Sequence, residues 1–173
     1  MTSQDVDVPY TVKIALLAEA TAETVSKAAC CPDRLAKAVE FTLLAWKGIH
    51  DSCETARLQG AVGREADTIL AAGDHVAGII LGAKDDALPP EAVTRIVAAH
   101  RELATRLGEN QPLNQFRQQL QTLWAETTPL VQRLDFATWL LDRIKVRAIW
   151  TPPAVHTPAH PARPLHRPET SPV

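Results

Sequence analysis

Metal-binding and acid–base side chains stand close together in FTLLAWKGIHDSCETA, residues 41 to 56. On a helix, side chains three and four positions apart share a face, so His50 faces Cys53 and Glu54. An imidazole, a thiolate and a carboxylate could therefore converge on a metal ion. A closed zinc site needs four ligands, however, and this helix offers three. We predict that the segment packs in a helical core, with Trp46 and Cys53 inside it, and that the protein binds no metal or other cofactor.

Two other histidines raise the alternative of a polar pocket. His100 interrupts an otherwise aliphatic stripe, and His75 lies in a glycine-rich segment. If these helices pack together, the histidines could meet, and polar residues on apolar faces sometimes line ligand pockets. The alternative function is thus a small-molecule or metal-binding helical bundle with a polar pocket around His50 and His100. Its weak candidate ligands are His50, Cys53, Glu54 and His100.

The sequence lacks the motifs of common enzymes. Ser52 or Cys53 as a nucleophile would need a histidine base and an orienting carboxylate, but no nucleophile elbow or cysteine-protease signature surrounds them. The phosphate-binding pattern G-x-x-x-x-G-K-[ST] is also missing, as is a G-x-G-x-x-G after a strand. We therefore predict a non-enzymatic protein with no catalytic residues.

The elements that carry these residues are predicted to be helices throughout. Apolar residues recur every third or fourth position over the first 150 residues, and no period-two alternation typical of strands is present. The predicted fold is an all-α bundle of about six antiparallel helices. Proline, glycine and capping signals place these helices at about 9 to 30, 32 to 59, 64 to 82, 90 to 107, 112 to 126 and 128 to 150.

The most apolar segment is ILAAGDHVAGIILGA, residues 69 to 83. It is too short to span a bilayer and carries Asp74 and His75 in its middle, so we predict a buried helix and no transmembrane segment. Gly73, Gly78 and Gly82 lower its helix propensity. We predict that these glycines allow another helix backbone to approach closely.

Domain organisation follows from two proline-rich segments. AKDDALPP, residues 83 to 90, could divide the helical domain 1–150 into two three-helix halves, 9–84 and 90–150. Residues 151–173 hold seven of the thirteen prolines and three of the six histidines. Because this segment has almost no large apolar side chains, we predict a flexible, disordered tail with a polyproline-II bias.

Charge and cysteine usage indicate the environment. The net charge of -2 argues against nucleic acid as a partner, and the basic run RIKVR at 143–147 complements the dipole at a helix end. Binding of nucleic acid or an anionic surface through this run and Arg163 and Arg167 is a further alternative. Cys30, Cys31 and Cys53 are odd in number, and two are adjacent, which disfavours a disulfide framework. No secretory signal is visible at the start. These features predict a cytoplasmic protein.

Residues 46 to 48 form a W-x-G triplet, WKG. It resembles the triplet of the small helical-hairpin substrates of type VII secretion, in which it lies in the turn between two long helices. The resemblance covers three residues and implies a WXG-like secretion substrate as a further alternative function. This sequence departs from that family in two respects: the apolar stripe runs unbroken from Leu43 to Cys53, and no Tyr-x-x-x-Asp/Glu export signal occurs.

The aromatic residues favour a protein-interaction function. Four tryptophans and three phenylalanines on amphipathic helices exceed the need of one small core, and aromatic residues are enriched at interfaces. We predict a helical interaction or adaptor module that binds a protein partner, with self-association as a homo-oligomer as one form of this. The candidate interaction residues are Trp124, Trp139, Trp150, Arg143, Lys145 and Arg147.

Overall fold

The computed structural model describes residues 7–83, 87–127 and 135–149, except for the side chains of residues 146–149. These ranges contain six helices and no strand, which confirms the predicted all-α bundle. The helices are α1 (Tyr10–Ala28), α2 (Pro32–Leu58), α3 (Glu65–Gly82), α4 (Pro90–Gly108), α5 (Leu113–Thr127) and α6 (Phe136–Ile149). The predicted tail, residues 151–173, lies outside the described residues, as does Trp150.

The first five helices begin and end within two residues of their predicted bounds. Pro32 and Pro90 stand in the first turns of α2 and α4, where the missing proline N–H costs no hydrogen bond. Gly60, with a φ of 71°, follows the end of α2, and Asn110, with a φ of 62°, follows the end of α4. Both residue types tolerate the left-handed conformation that turns the chain after a helix.

The sixth helix begins later than predicted. Its first residue is Phe136, because the Asp135 carboxylate accepts the backbone N–H of Thr138 at 2.8 Å and caps the helix there. The prediction of one unbroken helix from Thr128 was therefore wrong at Asp135. The Thr128–Pro129 start signal itself lies outside the described residues.

Helix α1 is the centre of the bundle. It packs most extensively on α4 and also contacts α2, α5 and α6. Seven consecutive residues, 12 to 18, are buried, so the helix is covered on all sides there. Buried side chains from all six helices, on both sides of the 83–90 segment, belong to one hydrophobic cluster.

Helix α3 lies at the edge of the bundle, where it packs on α2 and α4. Only one stripe of it is buried, formed by Ala66, Ile69, Gly73, Val76 and Ile80. The segment is a helix as predicted, but the described residues bury only this stripe of it and not the whole helix. None of the described helices is both long and apolar enough to cross a membrane.

Candidate functional site

The predicted cluster on α2 does not converge. Cys53 is fully buried, whereas Glu54 and His50 are exposed, the His50 side chain by 59%. The Nδ1 atom of His50 lies 3.8 Å from a carboxylate oxygen of the neighbouring Asp51. In the part of the chain that the structure describes, no three His, Cys, Asp or Glu side chains gather as they would around a metal.

His100 lies in the interior and uses both ring nitrogens. Its side chain is 1% exposed, and its Nε2 accepts the indole N–H of Trp46 at 3.0 Å. Because Nε2 accepts, the ring proton must be on Nδ1, which donates to the Ile96 carbonyl at 2.7 Å. The pair thus joins α2 to α4 with a neutral imidazole, and no lone pair on His100 remains for a metal.

Burial governs the protonation of His100. Removal from water disfavours the charged form and lowers the pKa of His100 below its ordinary 6.5, and the Ile96 carbonyl only partly opposes this. Protonation would also place an N–H on Nε2, facing the indole N–H of Trp46. At low pH the contact between Trp46 and His100 would therefore contain two N–H donors and no acceptor.

The W-x-G triplet lies inside the unbroken helix α2 rather than in a turn. Trp46 packs across Gly73 of α3, where an added Cβ would lie 2.6 Å from the indole Cε3. Gly48 faces α6, where an added Cβ would meet the Leu141 and Lys145 side chains. The packing of α2 against α3 and α6 therefore accounts for Trp46 and Gly48 of the triplet.

A polar contact between α1 and α2 was not predicted. The Tyr10 hydroxyl and the Ser52 hydroxyl are 2.7 Å apart, and Ser52 donates to the Ile49 carbonyl at 3.0 Å. Burial raises the pKa of Tyr10 well above its ordinary value and also raises that of the adjacent Cys53 thiol. Neither group is activated as a nucleophile or base, since both are held in the neutral form. Partners 42 positions apart leave no local sequence signal.

Two of the predicted interaction residues, Trp124 on α5 and Trp139 on α6, both contact Phe136. Trp139 is 8% exposed and stacks on Phe136, which also meets Trp124 edge to face. The Arg143 guanidinium lies 4.9 Å from the centre of the Trp139 ring. Lys145 lies half-buried over Gly48. The Arg147 side chain and Trp150 are outside the described residues. Trp139 therefore offers little surface to a partner, while Trp124 is half-buried.

A surface pocket lies between α2 and α3. It has a volume of about 250 Å³, with Trp46 and Gly73 among its apolar lining and His50 among its polar groups. His100 is not among the lining residues and is hydrogen-bonded to the Trp46 indole, which is. The two histidines of the predicted pocket are therefore separated by the tryptophan ring. The other lining residues are Leu43, Lys47, Asp51, Leu70, Asp74 and Ala77.

The outer face of α3 carries three small residues and one histidine. We use this name for Ala71, His75, Gly78 and Gly82, which recur at steps of three and four and are all exposed. An added Cβ at Gly78 or Gly82 would meet nothing within 4 Å. Leu81, beside this face, is 66% exposed. Among the described residues, therefore, no other helix makes the predicted close approach at Gly78 or Gly82.

The α3–α4 groove adjoins this face and consists of two depressions that meet at His75. The first, about 430 Å³, is lined on α4 by Ala99, Glu102, Leu103 and Arg106. The second, about 540 Å³, is lined on α4 by Pro89, Ala92 and Arg95. Residue numbers rise along α3 as they fall along α4, so the helices are antiparallel. The α4 rim of the groove carries Arg95 in the second depression and Glu102 and Arg106 in the first. Arg95 and Glu102 are seven positions apart and on one face.

Comparison of this chain with protein-family models, with curated proteins and with solved structures finds no match.

Proposed function

We propose that this protein is a non-enzymatic interaction module that binds a helix of a protein partner on the outer face of α3 and in the α3–α4 groove. The observation that carries the proposal is the position of α3. It is the most apolar of the six helices, yet it lies at the edge of the bundle with one face open.

The glycines of this face support the same function. A mid-helix glycine destabilises a helix relative to alanine, so its presence calls for a compensating contact. Gly73 has such a contact in the Trp46 ring. Gly78 has none among the described residues, and a helix of a partner could approach its backbone closely. Helix-in-groove recognition uses this kind of surface.

The charges around the groove indicate what such a partner must carry. Asp67 and Asp74 line the α3 side, while Arg95, Glu102 and Arg106 line the α4 side. A partner helix should therefore present small or aliphatic residues to the open glycines and charges of both signs toward the rims. Rim charges of this kind act mainly on orientation and association rate.

Site-specific photo-crosslinking in the native host tests the proposal. A photoreactive amino acid at His75 should give a crosslinked protein adduct, and the same amino acid at Arg101, exposed on α4 away from α3, should not. The adduct should disappear in a Gly78→Trp variant, because the indole would fill the open face without disturbing the bundle. Equal crosslinking at both positions, or none at His75, would contradict the proposal.

The pocket between α2 and α3 supports a second candidate, a small-molecule binding bundle. Its apolar lining beside Lys47, Asp51 and Asp74 is typical of sites for small amphipathic ligands. A thermal-shift screen should then find a compound that stabilises the wild type but not an Ala77→Phe variant, in which a ring fills the pocket. If every stabilising compound acts equally on both proteins, this candidate is excluded.

A further inference from the structure

We propose that a second copy of this chain covers the outer face of α3 and the α3–α4 groove, related by a twofold axis that crosses both helices at His75, so that Arg95 of each copy faces the partner's Glu102. The inference rests on the proposed function and names its partner. It is drawn from the layout of the groove and from the order of charges along the α4 rim.

The layout of the groove is suited to a twofold arrangement. His75 lines both depressions and marks the middle of the groove. A twofold axis across the helices at this level lays α3 on the partner's α3 and α4 on the partner's α4, each pair antiparallel. It places the first depression of one copy against the second depression of the other. The interface is then isologous, which is the commonest form of a homodimer.

The small residues of the outer face make this arrangement sterically feasible. With the axis at His75, the two His75 residues are neighbours across it. Because helical side chains point toward the N-terminus of their own helix, each ring extends toward the partner's Gly78, where no side chain projects. Ala71, Gly78 and Gly82 have little or no side-chain volume, so the two helix backbones approach closely. Close approach of the α3 pair is also what brings the two α4 rims within reach of each other.

The rim charges are complementary only when the two copies are antiparallel. Reading along α4, the rim carries Arg95, then Glu102 two turns later, and then Arg106, which is paired with Glu102 in the same chain. An antiparallel copy therefore sets Arg95 against the partner's Glu102 twice, once on each side of the axis. Arg95 has no ion pair with any other described residue, and the Glu102 carboxylate, bonded to Arg106 through one oxygen, keeps acceptor capacity.

A charge-reversal experiment tests the arrangement in the full chain. The wild type should shift from the 18.9 kDa monomer toward twice that mass in analytical ultracentrifugation as concentration rises from about 1 μM to about 1 mM, the range in which small interfaces associate. Arg95→Glu and Glu102→Arg should each weaken this association at least tenfold, because each homodimer then carries two like-charge contacts. The control Arg101→Glu, away from the groove, should associate like the wild type.

Mixing the two weakened variants is the decisive measurement. Arg95→Glu and Glu102→Arg together should form a heterodimer of wild-type strength, because both contacts between the copies are again of opposite charge. A charge pair within one chain would not be restored by mixing. Gly78→Leu should remain monomeric alone and in mixtures, with the circular dichroism of the wild type. Failure of the mixture to associate, or dimers of Arg95→Glu as strong as the wild type, would overturn the inference.

The outcome separates this inference from the proposed function. A chain that stays monomeric throughout the concentration range overturns the twofold dimer. If a photoreactive group at His75 then still crosslinks to a different protein, the interaction face stands with another partner. If neither association nor crosslinking occurs, both proposals fail.

Discussion

The buried pair of Trp46 and His100 connects three helices through two side chains. The indole N–H of Trp46 bonds to His100 on α4, and the same ring lies across Gly73 on α3. Inside a protein such a bond is strong, and a group left without its partner is costly. The His100 ring has both nitrogens satisfied, which explains how a polar side chain is accommodated at 1% exposure.

We expect the free energy of unfolding to decrease on acidification through the His100 pKa. The pKa is lowered in the folded state, so the unfolded chain binds more protons below pH 6.5. The stabilisation is therefore complete above pH 6.5 and is lost as pH falls toward the folded-state pKa, with a slope of up to about 1.4 kcal/mol per pH unit. Urea unfolding from pH 7.5 to 5 measures it.

The control for this measurement is a pair of histidine variants. Between pH 6.5 and 5, the free energy of unfolding of His100→Leu should depend less on pH than that of the wild type. His75→Gln, on the exposed outer face of α3, should show the pH dependence of the wild type. Equal slopes for His100→Leu and the wild type would mean that His100 does not titrate differently in the two states.

Removing the indole N–H should destabilise the fold. Trp46→Phe leaves Nε2 of His100 without a donor in the interior, at a cost of about 1–3 kcal/mol measured by urea unfolding at pH 7.5. In a double-mutant cycle with His100→Leu, the two costs should not add, because the double variant has no unpaired group. Additive costs would show that the hydrogen bond contributes nothing to stability.

At the scale of elements, the glycines of α3 allow a comparison within one helix. Gly73→Ala should destabilise the monomer by about 1–3 kcal/mol, because its Cβ would meet the rigid Trp46 ring. Gly78→Ala should stabilise the monomer by about 0.5–1 kcal/mol, since its Cβ meets nothing and alanine favours the helix. Thermal unfolding of dilute protein measures both, and shifts of the same sign would contradict the described packing of α3.

The start of α6 depends on a single side chain. Asp135→Ala removes the acceptor for the Thr138 N–H and should cost about 0.5–2 kcal/mol of stability. Asp135→Asn keeps a capping oxygen and should cost less. Asp142→Ala, an exposed position in the same helix, is the matched control and should be near neutral in urea unfolding. Equal effects at positions 135 and 142 would exclude a capping role.

At the scale of the whole molecule, α1 joins the two predicted halves of the chain. It contacts α2 before the 83–90 segment and α4, α5 and α6 after it, and an ion pair between Glu19 and Arg117 links it to α5. Because the buried side chains form one cluster, the loss of α1 packing would expose residues of both halves.

We therefore expect one cooperative unfolding transition. Far-ultraviolet circular dichroism and tryptophan fluorescence should give coincident urea curves, since Trp46 lies before the 83–90 segment and Trp124 and Trp139 lie after it. Leu17→Ala, a fully buried change in α1, should lower both midpoints together by the equivalent of about 2–5 kcal/mol. Two separate transitions, or a shift in one probe alone, would indicate two independently folding halves.

Local rules were sufficient for most of the helices. Pro32 and Pro90 begin helices, Gly60 ends one, and the three-to-four-residue spacing of apolar positions places the stripes between them. These signals act within a few residues and are therefore readable in a sequence. Asp135 is a signal of the same kind that was missed, because the earlier Thr128–Pro129 pair also fits a helix start.

The candidate site depended on contacts that no local rule contains. The sequence showed that His100 interrupts an apolar stripe and that α3 is rich in glycine and aliphatic residues. Only the tertiary structure paired His100 with Trp46, placed Gly73 under that indole and left Gly78 without a contact among the described residues. Burial is set by which helices surround an element, so α3 is exposed at the edge of the bundle despite its composition, while α1 is enclosed at the centre.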